Sequence, residues 1–566
     1  MKILKYIIIA LIIFVPTFVW STTYYIDTAG DNGDNGGVGD PWASLSYACS
    51  QVAAGAHTIH INAGNYDSDT GQCILALGVD IEGADKDTTT INFNYSGYYI
   101  DGYSGSDSTG DHEISGVTWI GQRTAGYYGM RFVMRDNISI HDCDFSNINQ
   151  QAIFIRGQDP ADSGAENETP PATWADNITI YNNTFTSCAI DDGTVKGAVS
   201  ITSVADIEIY NNDFDETATT GQTIKSVYGW IKSGLIHDNT FSVFGRGGAI
   251  NIELWNMCED TKVYNNTFTT GFLSFVAGQK LAGTWSFQFY NNVITDMMAN
   301  EFSVDFEEIY GNHFYGTYAG TYGHGSLSLW PTHGTSTGKI ETVYIHNNIF
   351  HDTSGYAIGF SGNVDYDDIK IYNNTIDMNS SNVWPYSAIF FYTDGTPGTN
   401  PITNLIIKNN LIMNVDGPGA GKAIWAYGTS DEDVDSPVVQ FNLFDSCDDD
   451  INLDGATTPT ISDNITGASG ITASGDKPGP YYTLAVGSSA IGAGADLGNS
   501  LLYGLDPTST WTDNVKPLDQ DDYGDWEIGS YVYIEAGPSG GPGTIAGGGS
   551  GTIAGGGTGT IEGTEP

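Results

Sequence analysis

Basic residues are scarce in this chain: 19 Lys and Arg stand against 68 Asp and Glu, a formal net charge of −49 over 566 residues. Nucleic acid binders displace phosphate counterions with Lys and Arg, so a chain this acidic excludes that class of partner. A polyanion such as pectate or alginate would be repelled as well, unless a bridging cation, for which Ca²⁺ is the candidate, joined the two. The plainer consequence of the charge is solubility of a large exported surface. Strong helix signals are almost absent, while 72 Gly and many Asn, Asp, Ser and Thr supply frequent turns. Beyond the first twenty residues no stretch is apolar enough to span a bilayer. Cysteine is sparse too: Cys49, Cys73, Cys143, Cys188, Cys258 and Cys447 are too few for a disulfide-dense scaffold, and none has Cys-x-x-Cys metal spacing. Cys49 and Cys73 are the expected pair, since both belong to one N-terminal block, and Cys143 is expected either paired or as a buried free thiol.

What is present begins with a leader. Residues 1–21 carry Lys2 and Lys5, an apolar run from Ile7 to Val15, and Ser21 at a cleavage position, as in a secretory signal. The expected localisation is extracellular or at the cell surface.

The rest is organised by one line, Ile178-Thr179-Ile180-Tyr181-Asn182-Asn183-Thr184-Phe185, which returns along the chain. Its second Asn recurs at 183, 212, 239, 266, 292, 312, 348, 374, 410, 442 and 464, with Cys143 in the same slot. Intervals between 20 and 40 residues are what stacked coils with loop insertions produce. Each coil buries only against its neighbours, so the usual size limit on one core does not apply. In Ile-x-Ile the alternate side chains point inward, and Phe185 and its equivalents follow inward. The turn Asn is expected to take a left-handed backbone, with its amide bonding to the Asn amides above and below. Roughly fifteen coils at about 4.8 Å each give a rod of about 70 Å.

A second apolar line precedes the Asn line in most coils. It reads Ala152-Ile-Phe-Ile-Arg156, Ala198-Val-Ser-Ile-Thr202, Ala249-Ile-Asn-Ile-Glu253, Ser326-Leu-Ser-Leu-Trp330, Ala357-Ile-Gly-Phe-Ser361, Ala388-Ile-Phe-Phe-Tyr392 and Ala423-Ile-Trp-Ala-Tyr427. This is a second parallel sheet, whose outward residues stack in two columns. One column is expected to hold Phe154, Ser200, Asn251, Ser328, Gly359, Phe390 and Trp425. The other is expected to hold Arg156, Thr202, Glu253, Trp330, Ser361, Tyr392 and Tyr427. Outward aromatics in register suggest a platform for sugar rings, so Phe154, Trp330, Phe390, Tyr392, Trp425 and Tyr427 are the substrate-binding candidates. Their bland alternative is burial under insertion loops such as 159–175 and 384–401.

Residues 22–91 form a distinct opening block, with Asp40-Pro41-Trp42-Ala43-Ser44-Leu45, a short helix candidate over 44–52, and Ala63-Gly64-Asn65-Tyr66 after a strand. This block closely resembles the opening of secreted right-handed parallel β-helix proteins of the pectin-lyase-like superfamily, in which a Trp-x-Ser/Thr-Leu helix plugs the first coil. The resemblance implies an all-β right-handed parallel β-helix with an N-terminal cap helix and an internal Asn ladder. Coils and a closing segment run over 92–536. The stretch from Tyr481 to Gly494, ending in Asp525-Trp526-Glu527-Ile528-Gly529, is similar to the close of bacterial members. A Gly-rich tail, expected to be flexible, occupies 537–566.

The resemblance also implies two chemistries. Lyases of the superfamily use Lys or Arg as the base, with Asp or Glu holding Ca²⁺; the candidates are Arg156, Arg246, Lys196 and Lys280 with Asp191, Asp192 and Glu253. Asp191 and Asp192 are the metal candidates. Hydrolases resembling polygalacturonase pair Asp residues with Gly-His-Gly, and Gly323-His324-Gly325 is present, but more than 130 residues from Asp191, and the Asn-Thr-Asp and Arg-Ile-Lys elements are missing. Arg156 and Glu253 are expected in one column, three coils and roughly 14 Å apart. The expected partner is a polysaccharide or cell-surface glycan. Two functions stand side by side: a polysaccharide lyase or glycoside hydrolase, and a non-catalytic, adhesin-like rod.

Overall fold

The computed structural model describes residues 21–535 except 124–125, 159–169, 190–196, 218–224, 229, 245–249, 277–284, 297–298, 317–324, 330–338, 354, 362–363, 379–386, 393–400, 418–420, 428–433, 455, 473–480, 499–500, 510 and 512–514. A representative coil has three strands. Gly197–Thr202 lies in a first sheet, Val204–Tyr210 in a second and Asp213–Thr217 in a third. Each pairs in parallel with its counterpart one coil away: Ser200 with Phe154, Ile207 with Ile178, and Phe214 with Phe185. Parallel strands joined by crossovers of one hand close into a coil, and the favoured hand is right. The chain is a right-handed parallel β-helix. The sequence pattern shows two of its sheets; the third, of fifteen strands, is built on three-residue segments such as Thr184–Thr186. These are too short to register as strands in an alternation count.

The interior holds two ladders. Phe145, Phe185, Phe214, Phe241 and Phe268 stack face to face with centroids 4.7–5.0 Å apart. The Asn ladder runs from Asn183 to Asn464. Each side-chain amide donates to the next coil's carboxamide oxygen, as Asn212 Nδ2 does to Asn239 Oδ1 at 3.0 Å. The same amide also reaches a strand carbonyl of the coil before, Ile180 O at 2.9 Å for Asn212. The acceptor oxygen takes a backbone N–H as well, Asn212 N at 2.9 Å for Asn239. Such bonding explains Asn in a dry core, where each unmet polar group costs about 1–3 kcal/mol. One expectation is corrected. The left-handed residue is not the ladder Asn but the residue before it: Asn182, Asn211, Asp238, Asn265 and Asn291 have φ between 53° and 57°. The two tasks divide between neighbours because an αL residue turns the chain and aims the next side chain inward.

At the N-terminal end the only α-helix among the described residues, Leu45–Gln51, buries Leu45, Ala48 and Cys49 over the first coils. Ser44 caps it, its hydroxyl accepting from the Tyr47 amide. Cys49 and Cys73 form the expected disulfide, and closing that loop is worth about 3 kcal/mol. The Asp69 carboxylate accepts from the Ser46 amide at 3.0 Å and the Tyr99 hydroxyl at 2.8 Å, tying the helix to the coils. Cys143, Cys188, Cys258 and Cys447 stand outside the disulfide. Burial pushes the thiols of Cys143, Cys258 and Cys447 up to about 12, so they are inert. No helix among the described residues is long and apolar enough to cross a membrane.

Beyond the last ladder Asn the chain turns back. The described residues of 481–533 lie over the third sheet, whose outward column changes character along the coils. It reads Asp144, Thr184, Asp213, Thr240 and Thr267 early, then Val293, His313, Ile349, Thr375, Leu411 and Leu443 later, so that apolar residues enter it only in the later coils. Ile349, Leu411, Met413 and Leu443 form a satellite core with Tyr482, Leu484, Leu505, Trp511, Ile528 and Tyr531. The apolar members Val293, Ile349, Leu411 and Leu443 of this column pack against the returning segment.

The core of the second sheet contains a misfit. Glu307 occupies an inward position of the second sheet, pairing with Phe287 and Val343, and is fully buried. Burial drives its carboxyl well above the ordinary range; the Val304 amide offsets only part of this, and neither oxygen reaches hydrogen-bond geometry among the described residues. Neighbouring Asp305 is pushed up to about 7, mainly by burial. An acid whose folded pKa is raised contributes fully below its unfolded value, about 4.3 for Glu, and its contribution is lost as pH rises through the folded value. The Glu307→Gln variant is therefore expected to be more stable than the native chain at pH 8, with the advantage fading toward pH 4. Denaturant titrations at the two pH values measure this, and an advantage independent of pH would contradict it.

Candidate functional site

Along the outer face of the first sheet, backbone pairing sets one residue of each coil into a single column. It runs Asp101, Arg131, Phe154, Ser200 and Tyr228, then Glu253, Ser274, Glu301, Ser328, Gly359, Phe390, Trp425 and Asn452. The column has three chemical zones.

The N-terminal zone is cationic and aromatic. Arg131 makes a two-point ion pair with Asp101, Nε to Oδ1 at 3.0 Å and Nη2 to Oδ2 at 2.6 Å. Its guanidinium lies 4.7 Å from the Tyr98 ring centroid and 5.6 Å from Tyr103. Tyr98 stacks against Phe154 at 6.0 Å, and Arg156 stands 5.9 Å from that Phe154 ring. Four of the five Arg of this acidic chain, Arg123, Arg131, Arg135 and Arg156, fall within 34 consecutive positions (123–156). Arg135 is buried against Ser104 and His112, which makes it structural, and desolvation lowers its guanidinium to about 10.

The central zone is acidic. Glu253 and Glu301 are 4% and 5% exposed, on either side of Ser274, whose hydroxyl donates to Glu301 Oε2 at 3.2 Å. Two coil steps separate the carboxylates, about 10 Å along the column. The C-terminal zone is aromatic again. Trp425 contacts Phe390 at 5.4 Å and Tyr427 at 5.1 Å, Tyr392 stacks on Tyr427 at 6.1 Å, and the Lys422 ammonium lies 4.5 Å above Trp425. Tyr427 is 42% exposed, Tyr392 and Trp425 are half-buried, and Phe390 is buried beneath them. Three of the expected ring residues thus reach the surface together, and Phe390 supports them.

The column corrects the sequence reading at one coil. Glu253 was expected beside Arg156 and Thr202; pairing through Val199, Val227 and Ile252 puts it in the column of Phe154 and Ser200 instead. Arg156 and Glu253 therefore do not share a column, and Asn251 leaves the place assigned to it. A slip of two residues preserves in–out alternation, and Ile250, Ile252 and Leu254 satisfy either register. A bulge between Ile250 and Ile252 fixes the one adopted. Reading from Gly-Ala-Ile motifs missed Arg131, Ser274 and Glu301, which lie on strands without that motif. Asp191, Asp192, Arg246, Trp330, Lys196, Lys280 and His324 lie outside the described residues, as does the side chain of Ser361.

No group of three His, Cys, Asp or Glu among the described residues is placed to hold a metal. Asp27 accepts from the Ala29 amide and Asn62, Asp367 from Lys339, Thr403 and Asn404, and Asp448 from the amides of Gly417 and Gly421. These carboxylate oxygens accept hydrogen bonds from turns and neighbouring strands.

A second aromatic column lies outside the second sheet. His141, Tyr181, Tyr210, His237, Tyr264, Tyr290, Tyr310 and His346 stack with centroids 4.6–5.3 Å apart and nearly parallel planes. Rings stacked face to face present only edges to solvent, so this column stiffens the sheet and offers no platform for a sugar ring.

No family model matches the chain, and no curated protein does. Solved structures do match in fold. The chain is similar to a PL6 alginate lyase in complex with a trisaccharide (12% identity, 78% of this chain and 88% of that one, TM-score 0.44). It is similar to XylC in complex with xylose (10% identity, 80% and 88%, TM-score 0.41) and to the A-module of the Azotobacter vinelandii mannuronan C-5 epimerase AlgE6 (12% identity, 75% and 94%, TM-score 0.34). The fold is a right-handed parallel β-helix, as its own strand pairing shows. At these values the likeness is one of coil stacking, and this β-helix has to be read for function from its own residues.

Proposed function

We propose that this β-helix is an exported glycan-binding protein that lays a polysaccharide chain lengthwise along the outer column of its first sheet. The observation that carries the reading is the continuity of that column, with exposed or half-exposed aromatic rings at both ends of a polar centre. Sugar rings pack their C–H faces on aromatic side chains, and a linear glycan repeats at a spacing that a stack of coils can follow. The leader at 1–21 supports export. The Arg131 and Arg156 end suits a sugar bearing a carboxylate, while the Trp425 and Tyr427 end suits neutral faces. A bridging Ca²⁺ remains part of the proposal only for an acidic glycan, with Asp191 and Asp192 as its candidates.

Glu253 and Glu301 favour a second reading, hydrolysis. Two carboxyls about 10 Å apart approach the spacing of inverting glycosidases, about 6.5–9.5 Å, in which one protonates the leaving oxygen and the other activates water. The rod-like, non-catalytic alternative needs neither group.

A panel of uronate and neutral polysaccharides, run in affinity electrophoresis with and without Ca²⁺ and analysed for reducing ends and unsaturated products, separates these readings. At least one member is expected to bind, and Trp425→Ala to weaken that binding roughly tenfold, about 1.4 kcal/mol. Cleavage abolished by Glu301→Gln establishes the hydrolytic reading. Binding by no member of the panel removes the proposal.

A further inference from the structure

The two ends of the coil stack are finished differently. Leu45–Gln51 packs over the N-terminal end. At the other end the last coil supplies Asp449–Asn452, Ala456–Thr457, Thr460–Ser462 and Ile465–Thr466. Each pairs with the coil before it and, among the described residues, with no strand on its other side.

Side chains and backbone both show this end open. Ile461 stands in the inward column of the second sheet after Ile371, Ile407 and Val439, which are fully buried, yet it is 48% exposed. Ile451, which follows the buried Ile389 and Ile424 of the first sheet, is only half-buried. The Thr460 N–H donates to Pro437 O at 2.8 Å, toward the coil before, so the alternation of a parallel strand turns the Ile461 N–H and C=O to the open side. The Asp449 N–H donates back to Gly421 O at 2.9 Å, which turns the backbone groups of Asp450 to the open side as well. Unpaired N–H and C=O groups in strand geometry are a template for another strand.

Charge selects the strand. Residues 445–466 contain six Asp and no Lys, Arg or His, and Asp448, Asp454 and Asp463 are exposed. A second copy, with a net charge of −49, would bring either six more carboxylates or an end covered by its helix. We infer that the C-terminal end of the stack is a docking edge for an extended, Lys- or Arg-bearing segment of another protein, which adds a strand to the last coil. Its period of two places apolar side chains over Ile451 and Ile461 and cations on the outer side, among the Asp. The edge lies at the end of the stack, whereas the proposed glycan path runs along its side.

The test titrates three labelled, end-blocked peptides into the full chain and follows fluorescence anisotropy: Lys-Val-Lys-Val-Lys-Val-Lys, its counterpart with Glu for Lys, and the Lys peptide with N-methylated backbone amides, which keeps the charge and loses the donors. The first is expected to bind saturably and at least tenfold tighter than the other two. Ile461→Lys, a change at an exposed position, is expected to weaken that binding at least tenfold with the melting temperature within a few degrees of the native chain. Hydrogen exchange is expected to slow at 449–452 and 460–462 when the peptide is bound. Saturable binding of none of the three, equal binding of the N-methylated peptide, or slowed exchange elsewhere on the sheets with none at 460–462 would each overturn the inference. Slow exchange at 460–462 in the chain alone would overturn it too, by showing that a second copy or another part of the chain already covers the edge.

Discussion

Replacing Asn312 with Leu is expected to lower the unfolding free energy by about 3–5 kcal/mol, although Leu is the more hydrophobic residue. Asn312 Oδ1 accepts from the Asn292 backbone at 3.0 Å and from Asn292 Nδ2 at 3.0 Å. Its own Nδ2 donates to Asn348 Oδ1 at 3.0 Å and to Phe289 O at 2.8 Å. Leu would strand these groups in the dry interior, where no water replaces the lost partner. Asn291→Gly is the control. Asn291 holds φ at 57° and turns the chain without entering the ladder, so Gly there is expected to change stability by only a few tenths of a kcal/mol. Denaturant midpoints of the two variants measure the contrast, and equal losses would refute the division of labour between the paired Asn residues.

Trp511→Ala carries the second large expectation, a loss of about 3–5 kcal/mol from the satellite core. Trp511 is 5% exposed, donates from Nε1 to Gly311 O at 2.9 Å and packs against His313 at 5.5 Å. The outward residues it helps to cover, Ile349 and Leu411, would otherwise form an apolar stripe on a solvent-facing sheet. Limited proteolysis is expected to cleave within 481–535 first in this variant, leaving the coils through Asn464 protected. Cleavage that begins in the coils at the native rate would contradict a covering role for the segment.

The fold was legible because the Asn line is both periodic and chemically odd: a polar residue recurring beside Ile and Phe has few explanations other than a buried ladder. The third sheet was hidden, since many of its strands, such as Thr184–Thr186, are only three residues long and carry a single inward apolar residue. The returning segment left a readable trace in Val293, Ile349, Leu411 and Leu443, where Thr or Asp stands in earlier coils, but the trace has meaning only once that position is known to face outward. The first-sheet column was half legible. Phe390, Tyr392, Trp425 and Tyr427 followed from motif alignment and do cluster. Glu253 did not, because alternation cannot tell one register from another two residues away. Arg131 sits within Tyr127–His141, a strand that crosses from the first sheet into the second and lacks the Gly-Ala-Ile motif.

Hydroxyl-radical footprinting of the full chain with and without its bound polysaccharide tests the central claim most directly. Protection is expected on the first sheet's outer face, at Tyr98, Tyr103, Phe154, Tyr392, Trp425 and Tyr427 together, with Tyr181, Tyr210 and Tyr264 of the edge-on column unchanged. Protection of Tyr181, Tyr210 and Tyr264 with none at Trp425 or Phe154 would move the glycan to the second sheet and contradict the account.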